Sequence, residues 1–349
     1  MSRDIVGEIL KRVDGPTLAN AACSSSDFLS FANEEWLWEN MCISLWPSTN
    51  NEEVKQLISS LGGFRKFYGD CFPPLNADSK YLDANSKKSI GGSFNYVPGD
   101  YLADAVSVCP SDFVSLVDLH YDNKPVFSKI IEGDCMSHHY CRSFLNFPIY
   151  PFVIDLFCSC DGTVPSITIK REEDVESETL LLKKMKLSWI MINTRTKHAV
   201  NLSSWRPQIA RKNYWGREGD FTVGFGSLLV AAHNSFPLEL VSCNITVNCR
   251  LSNADTESMK LQISEISLHM EDEMGNQLNA RDGVLTIQKA MKWGRRMEDY
   301  NQFKQRYDGF FQNNLMEEKR QATQGFMYPI WLLFSVAVVI LSCYYCLVV

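Results

Sequence analysis

The C-terminal end of the sequence is the feature that fewest folds can absorb. Arg320 is the last charged residue, and the stretch from Ile330 to Val349 contains none. As a helix, twenty such residues rise about 30 Å, the thickness of a bilayer's hydrocarbon core. Core helices of soluble domains rarely run this long without a charge. Tyr328 and Trp331 stand at one end, where aromatic rings favour the headgroup boundary, and Lys319 and Arg320 lie just upstream, which assigns that end to the cytosolic side. The spacing therefore predicts a transmembrane helix over 328–349. Because nothing follows it in the sequence, insertion is expected after translation. The chain reads as a tail-anchored, single-pass protein with residues 1–325 in the cytosol. A moderately hydrophobic anchor with no basic tail leans towards the endoplasmic reticulum.

The rest must fold largely as globular structure. Of 349 residues, 45% are hydrophobic and 21% charged, which excludes a wholly disordered chain and suggests two or three units. The net charge of -7 excludes a broadly basic nucleic-acid binder. Twelve cysteines are scattered from Cys23 to Cys346 without a repeated spacing. The first residues carry no basic region followed by an apolar core, so no secretory signal is read there. The cysteines are expected to be reduced and mostly buried.

At the N-terminus, Ile5, Ile9, Leu10 and Val13 recur at helical spacing. Asp14-Gly15-Pro16 breaks that helix. Residues 17–23 read as a second short helix, Ser24 to Asp27 as a polar stop with capping residues, and Glu35 to Cys42 as a further helix ending at Trp46-Pro47. About 45 residues of short helices make a small independent core. Apolar faces on such a unit are candidates for an interface.

The run Glu8-Ile9-Leu10-Lys11-Arg12-Val13-Asp14-Gly15-Pro16-Thr17-Leu18, then Cys23, Phe28 and Leu37-Trp38, resembles an F-box, in the form found in a group of plant F-box proteins. The resemblance covers residues 1–48. Met1-Ser2 stands where the family usually has Leu-Pro, a dipeptide that opens the first helix and touches the adaptor. The resemblance implies docking on the Skp-type adaptor of a cullin-RING ubiquitin ligase. The adaptor-binding residues it implies are Ile5, Ile9, Leu10, Val13, Leu18, Cys23, Phe28, Leu37 and Trp38.

Beyond this module, Glu52 to Leu61 and Phe64 to about Leu75 read as a helical extension over 49–75, interrupted at Gly62-Gly63. A linker rich in Asn, Ser, Gly and Lys fills 76–99. The period then changes to that of strands. Runs at 112–121, 125–131, 150–158, 186–193, 198–202, 221–231, 239–251 and 259–270 alternate or are short and apolar. They predict a β-rich antiparallel sandwich or barrel over 100–290. Arg171 to Glu178 reads as an acidic, solvated loop. From Thr286 the pattern turns helical, with Ala290, Trp293, Met297, Tyr300, Phe303 and Tyr307 at helical steps, giving a juxtamembrane helix over 291–325.

The chain contains no P-loop, no H-E-x-x-H and no G-x-S-x-G. Gly224-Phe225-Gly226 lies inside a strand pattern and reads as a bulge or a close approach. Cys135, His138, His139 and Cys141 fit no common zinc spacing, nor do Cys158 and Cys160. Trp189, Trp205, Tyr214 and Trp215 read as core or sheet-surface aromatics, with a ligand groove as the less favoured alternative. No catalytic residue, metal or cofactor is expected. The fold class is α+β. The reading is a non-catalytic, membrane-tethered substrate receptor of an Skp–cullin–F-box ligase, with an unknown target on the β-rich domain and no nucleic-acid partner. The alternative is a tail-anchored scaffold whose F-box no longer recruits the ligase.

Overall fold

The computed structural model describes residues 3–72, 109–132, 151–156, 164–171, 175–213, 217–232, 240–255, 257–272, 274–293 and 309. The linker at 76–99, the zinc-like run at 135–141, Tyr214, Trp215, the helical positions from Met297 onward and the span 328–349 lie outside these residues. Among the described residues, no helix is long and apolar enough to cross a membrane.

Among the described residues six helices come first: α1 (Arg3–Leu10), α2 (Gly15–Ala22), α3 (Ser26–Ala32), α4 (Glu35–Leu45), α5 (Glu52–Leu61) and α6 (Phe64–Cys71). Local chemistry sets their ends. The Asp14 carboxylate accepts from Thr17 N at 2.9 Å to start α2, and Ser25 Oγ accepts from Phe28 N at 3.2 Å to start α3. Asn51 caps α5 by accepting from the backbone of Glu53 and Val54. Gly62 ends α5 at φ +109°, a left-handed conformation that suits glycine. The Glu35 carboxylate of α4 accepts from Phe64 N and so caps α6. Trp46 is fully buried with its ring edge-on to Phe67 at 5.6 Å. Gly15 lies so close to the Tyr68 ring that a Cβ there would fall 2.2 Å from it. One hydrophobic core runs through this module from Leu10 to Cys71.

Among the described residues ten strands follow: β1 (Phe113–Tyr121), β2 (Lys124–Glu132), β3 (Val153–Asp155), β4 (Ser166–Lys170), β5 (Met185–Asn193), β6 (His198–Asn201), β7 (Ile209–Lys212), β8 (Asp220–Val230), β9 (Leu240–Asn253) and β10 (Ser258–Glu271). Among the described residues all pairings are antiparallel. A four-stranded sheet has the order β2-β1-β5-β6, and a six-stranded sheet the order β3-β10-β9-β8-β7 with β4 also on β10. The two sheets enclose one core. The β1–β2 hairpin turns at Asp122 and Asn123, both at positive φ, which matches a primed turn.

Strand alternation divides the four-stranded sheet between two cores. In β1, Phe113, Val117, Leu119 and Tyr121 face the sandwich interior, while Leu116 joins the helical core. In β5, Leu187, Trp189 and Met191 point inward, while Ile190 and Ile192 point to the helices. In β6, Val200 and Ala199 divide in the same way. The helical module therefore lies on the outer face of this sheet.

Several expectations are corrected. The acidic stretch up to Glu178 does not end as a loop: helix α7 (Ser177–Lys184) begins there and buries Leu180 and Leu181. Its Glu178 carboxylate accepts from Lys212 N at 2.8 Å, against edge strand β7. The last described helix, α8 (Ala280–Trp293), starts six residues before Thr286, so all but its last three residues fall in the span expected to be β-rich. Asn279 accepts from Asp282 N at 2.9 Å and caps it. The helix after Gly63 spans Phe64–Cys71, and Leu75, the expected limit of the helical extension, lies outside the described residues. Strands β4 and β7 escaped the pattern because they are short edges of five and four residues, held by a neighbour's hydrogen bonds more than by their own alternation.

Candidate functional site

Helix α1 presents an apolar face to solvent. Ile5 and Ile9 are one turn apart and 53% and 49% exposed. With Glu8, Arg12 and half-buried Val13 they line an open groove. Leu10, about 100° round the helix from Ile9 and 4% exposed, enters the helical core. Lys11 bonds Glu8 at 2.5 Å and sits 5.1 Å from the Trp36 ring. That hydrogen bond, then the Lys11 charge, holds the Glu8 carboxyl below its ordinary range. Helix α3 adds exposed Phe28 and Leu29; Leu29 carried no motif signal in the sequence.

The nine residues singled out by the sequence thus fall into two groups. Ile5, Ile9, Cys23 and Phe28 are exposed and Val13 is half-buried. Leu10, Leu18, Leu37 and Trp38 are buried in the helical core. Trp38 also donates from Nε1 to Ala32 O at 2.7 Å, which holds α4 against α3.

A second constellation lies where the helices meet the sheet. Asp118 of β1 is fully buried on the outer, helix-facing side. Its Oδ1 accepts from Ser48 N at 2.9 Å and from Ser128 Oγ at 2.6 Å, and its Oδ2 accepts from Ser48 Oγ at 2.6 Å. Ser48 sits in a 3₁₀ turn (Pro47–Asn50) after α4. Burial pushes the Asp118 carboxyl above its ordinary value, and the three donors oppose that shift. The three bonds use both carboxyl oxygens as acceptors, and they clamp the helical module to the sandwich. Sequence reading missed this group because its partners stand 70 and 10 positions away.

Of the aromatics considered for a groove, Trp189 is fully buried in the sandwich core and Trp205 is half-buried. Trp205 follows β6 at φ +67°. Gly224 lies in β8, where a Cβ would come 2.7 Å from the Ile209 side chain, the close approach expected of it. Cys243 and Cys249 are buried thiols raised to about 12 by desolvation, so they stay protonated at neutral pH. Among the described residues, no group of His, Cys, Asp and Glu is placed to hold a metal ion.

No family model matches the chain. No solved structure matches it. Curated relatives do. One F-box protein of Arabidopsis thaliana is 29% identical over 85% of this chain and 74% of the relative. A second from the same plant is 26% identical over 91% of this chain and 87% of the relative. The F-box protein GID2 of Oryza sativa subsp. japonica is 35% identical over a shorter match, 22% of this chain and 36% of the relative. Along most of its length, this chain, with its N-terminal helices and β-rich antiparallel domain, is similar to proteins named F-box proteins.

Proposed function

We propose that this chain is a non-catalytic substrate-recognition subunit of an Skp–cullin–F-box ubiquitin ligase. The N-terminal helices bind the Skp-type adaptor, and through it the cullin-RING ligase. The β-rich domain binds a target protein. The segment 328–349 tethers the complex to a membrane, which raises the effective concentration of targets on that surface.

The observation that supports this reading best is the exposed pair Ile5 and Ile9, on the helix that the F-box resemblance assigns to the adaptor. Large apolar side chains held in water on a packed helix favour a partner. Val13 and Phe28 extend the contact. Leu10, Leu18, Leu37 and Trp38 act indirectly, by holding α1 and α3 in place.

The test is capture of a purified Skp-type adaptor by the full chain in detergent. The wild type is expected to retain adaptor and the Ile5→Asp/Ile9→Asp variant to lose it, with both showing the same thermal melting. Leu10→Asp is unsuitable, because Leu10 is part of the core. Capture by neither protein would overturn the ligase reading, and equal capture by both would overturn the assignment of the contact to Ile5 and Ile9. Alkaline carbonate extraction tests the tether. The full chain should stay with membranes, and a variant lacking 328–349 should be released.

A further inference from the structure

We propose that the helical module and the sandwich are held at one fixed orientation, with Asp118 as the pin that selects it. This holds whatever the two units bind. A partner docked on α1 is then presented at one angle to anything held by the sandwich.

The apolar contact between the units supplies attraction. Leu116 of β1, Ile190 and Ile192 of β5 and Ala199 of β6 complete the core that Leu10 to Cys71 begin. Apolar burial is non-directional, so it favours contact more than any one angle of contact.

Hydrogen bonds add the direction. Asp118 is fully buried on that same surface. Ser48 donates to it from N at 2.9 Å and from Oγ at 2.6 Å. A slide of the module would carry Ser48 away and leave a buried carboxyl group short of donors, which costs more than a lost apolar contact. Other orientations are thereby penalised, and that penalty is what gives specificity. The turn that carries Ser48 is itself held. Pro47 opens it, and buried Thr49 donates from Oγ1 to Trp46 O at 2.7 Å.

A second bond stands at a distance from the first. Lys197 Nζ, in the β5–β6 turn, donates to Ser60 Oγ at 3.0 Å. Ser188, opposite Asp118, and Asn193, beside that turn, are five positions apart on β5, about 17 Å of strand. Helix α5 begins just after Ser48, ends just past Ser60 and has ten residues, about 15 Å of helix. The two bonds thus lie near opposite ends of one helix, at a matching separation on the sheet. One bond opposes sliding. Two set this far apart also oppose rotation.

Spin labels on p-acetylphenylalanine at Glu53 and Lys260 read the orientation. Both positions are exposed, one on each unit. Distances are measured by pulsed electron resonance on the full chain in detergent, with a melting curve for every sample. The wild type is expected to give one narrow distribution. Asp118→Ala/Ser60→Ala should widen it about twofold or split it. Asp118→Asn keeps an acceptor for Ser48 N, and Ser48 Oγ can accept from the new amide, so its distribution should stay as narrow as that of the wild type. Ser48→Ala/Ser60→Ala leaves the carboxyl group its bonds from Ser48 N and Ser128 Oγ. It keeps the test readable should Asp118→Ala fail to fold, and it should widen the distribution by less. A broad distribution in the wild type, or a wild-type width in the alanine pairs that fold, would overturn the proposal.

Discussion

The two sheets of the sandwich meet water differently. The four-stranded sheet is covered on both faces, by the other sheet and by the helical module, and β5 is buried at nearly every position. The six-stranded sheet buries its inner face throughout and its outer face only in part, at Leu228, Ser242 and Asn244. Its strand β10 alternates between buried core positions and partly exposed ones such as Gln262, Glu265 and Ser267. A sheet buried on both sides loses the polar half of its pattern and reads as a continuous apolar run. The contrast extends to charge. Asp118, on the covered face, is enclosed by hydroxyl and amide donors. Asp220, at the rim of the open sheet, is paired with Arg250 at 2.6 Å.

This contrast can be broken by measurement. The largest expected effect is at Ile190, fully buried on the helix-facing side. Ile190→Ala should cost about 2–5 kcal/mol in urea unfolding, the range for large-to-small core changes. A cost below about 1 kcal/mol would mean that the helices do not close that face. Next is Asp118→Ala, which leaves the Ser48 donors without their acceptor and should cost about 1–3 kcal/mol. Ser48→Ala in the same background should then add little, because the two changes remove one network.

The pH dependence of the two aspartates should have opposite sign. Burial raises Asp118 in the folded chain, so its ionised form costs stability above that raised value. As pH falls through it towards the unfolded value of about 3.9, the wild type should gain stability relative to Asp118→Asn. Asp220 is lowered, first by its hydrogen bond to Arg250. Its contribution is present above about 3.9 and is lost as pH falls through the lowered value, so the wild type should lose ground to Asp220→Asn in acid. Melting curves of the three proteins between neutral and acid pH check both signs. The smallest effect is expected at Thr246, on the open face of β9, where Thr246→Ala should fall within about 0.5 kcal/mol. A cost like that of Ile190→Ala would show that this face too is covered.

Much of the fold was legible because its signals are local. Asp14-Gly15-Pro16 and Gly62-Gly63 mark helix ends within a few residues of the groups they cap. The alternation of 259–270 and the turn at Asp122-Asn123 are equally short-range. Helix α7 and strands β4 and β7 were not legible. α7 follows an acidic stretch, and the two strands are short edges that their neighbours hold.

The candidate site was half legible. Ile5, Ile9, Leu10 and Val13 share one stripe, and no spacing rule separates the two exposed isoleucines from the buried Leu10. That difference depends on which side of α1 the rest of the module covers. Likewise, Asp118 is an ordinary polar residue in a strand until Ser48 arrives from 70 positions away, and nothing in Ser203-Ser204-Trp205-Arg206 announces a left-handed tryptophan. Sequence alone determined where helices, hairpins and apolar faces form, because capping, turn chemistry and periodicity act over a few residues. Only the tertiary structure decided which apolar residues remain in water and which carboxylate is enclosed, because burial and desolvation are set by segments distant in the chain.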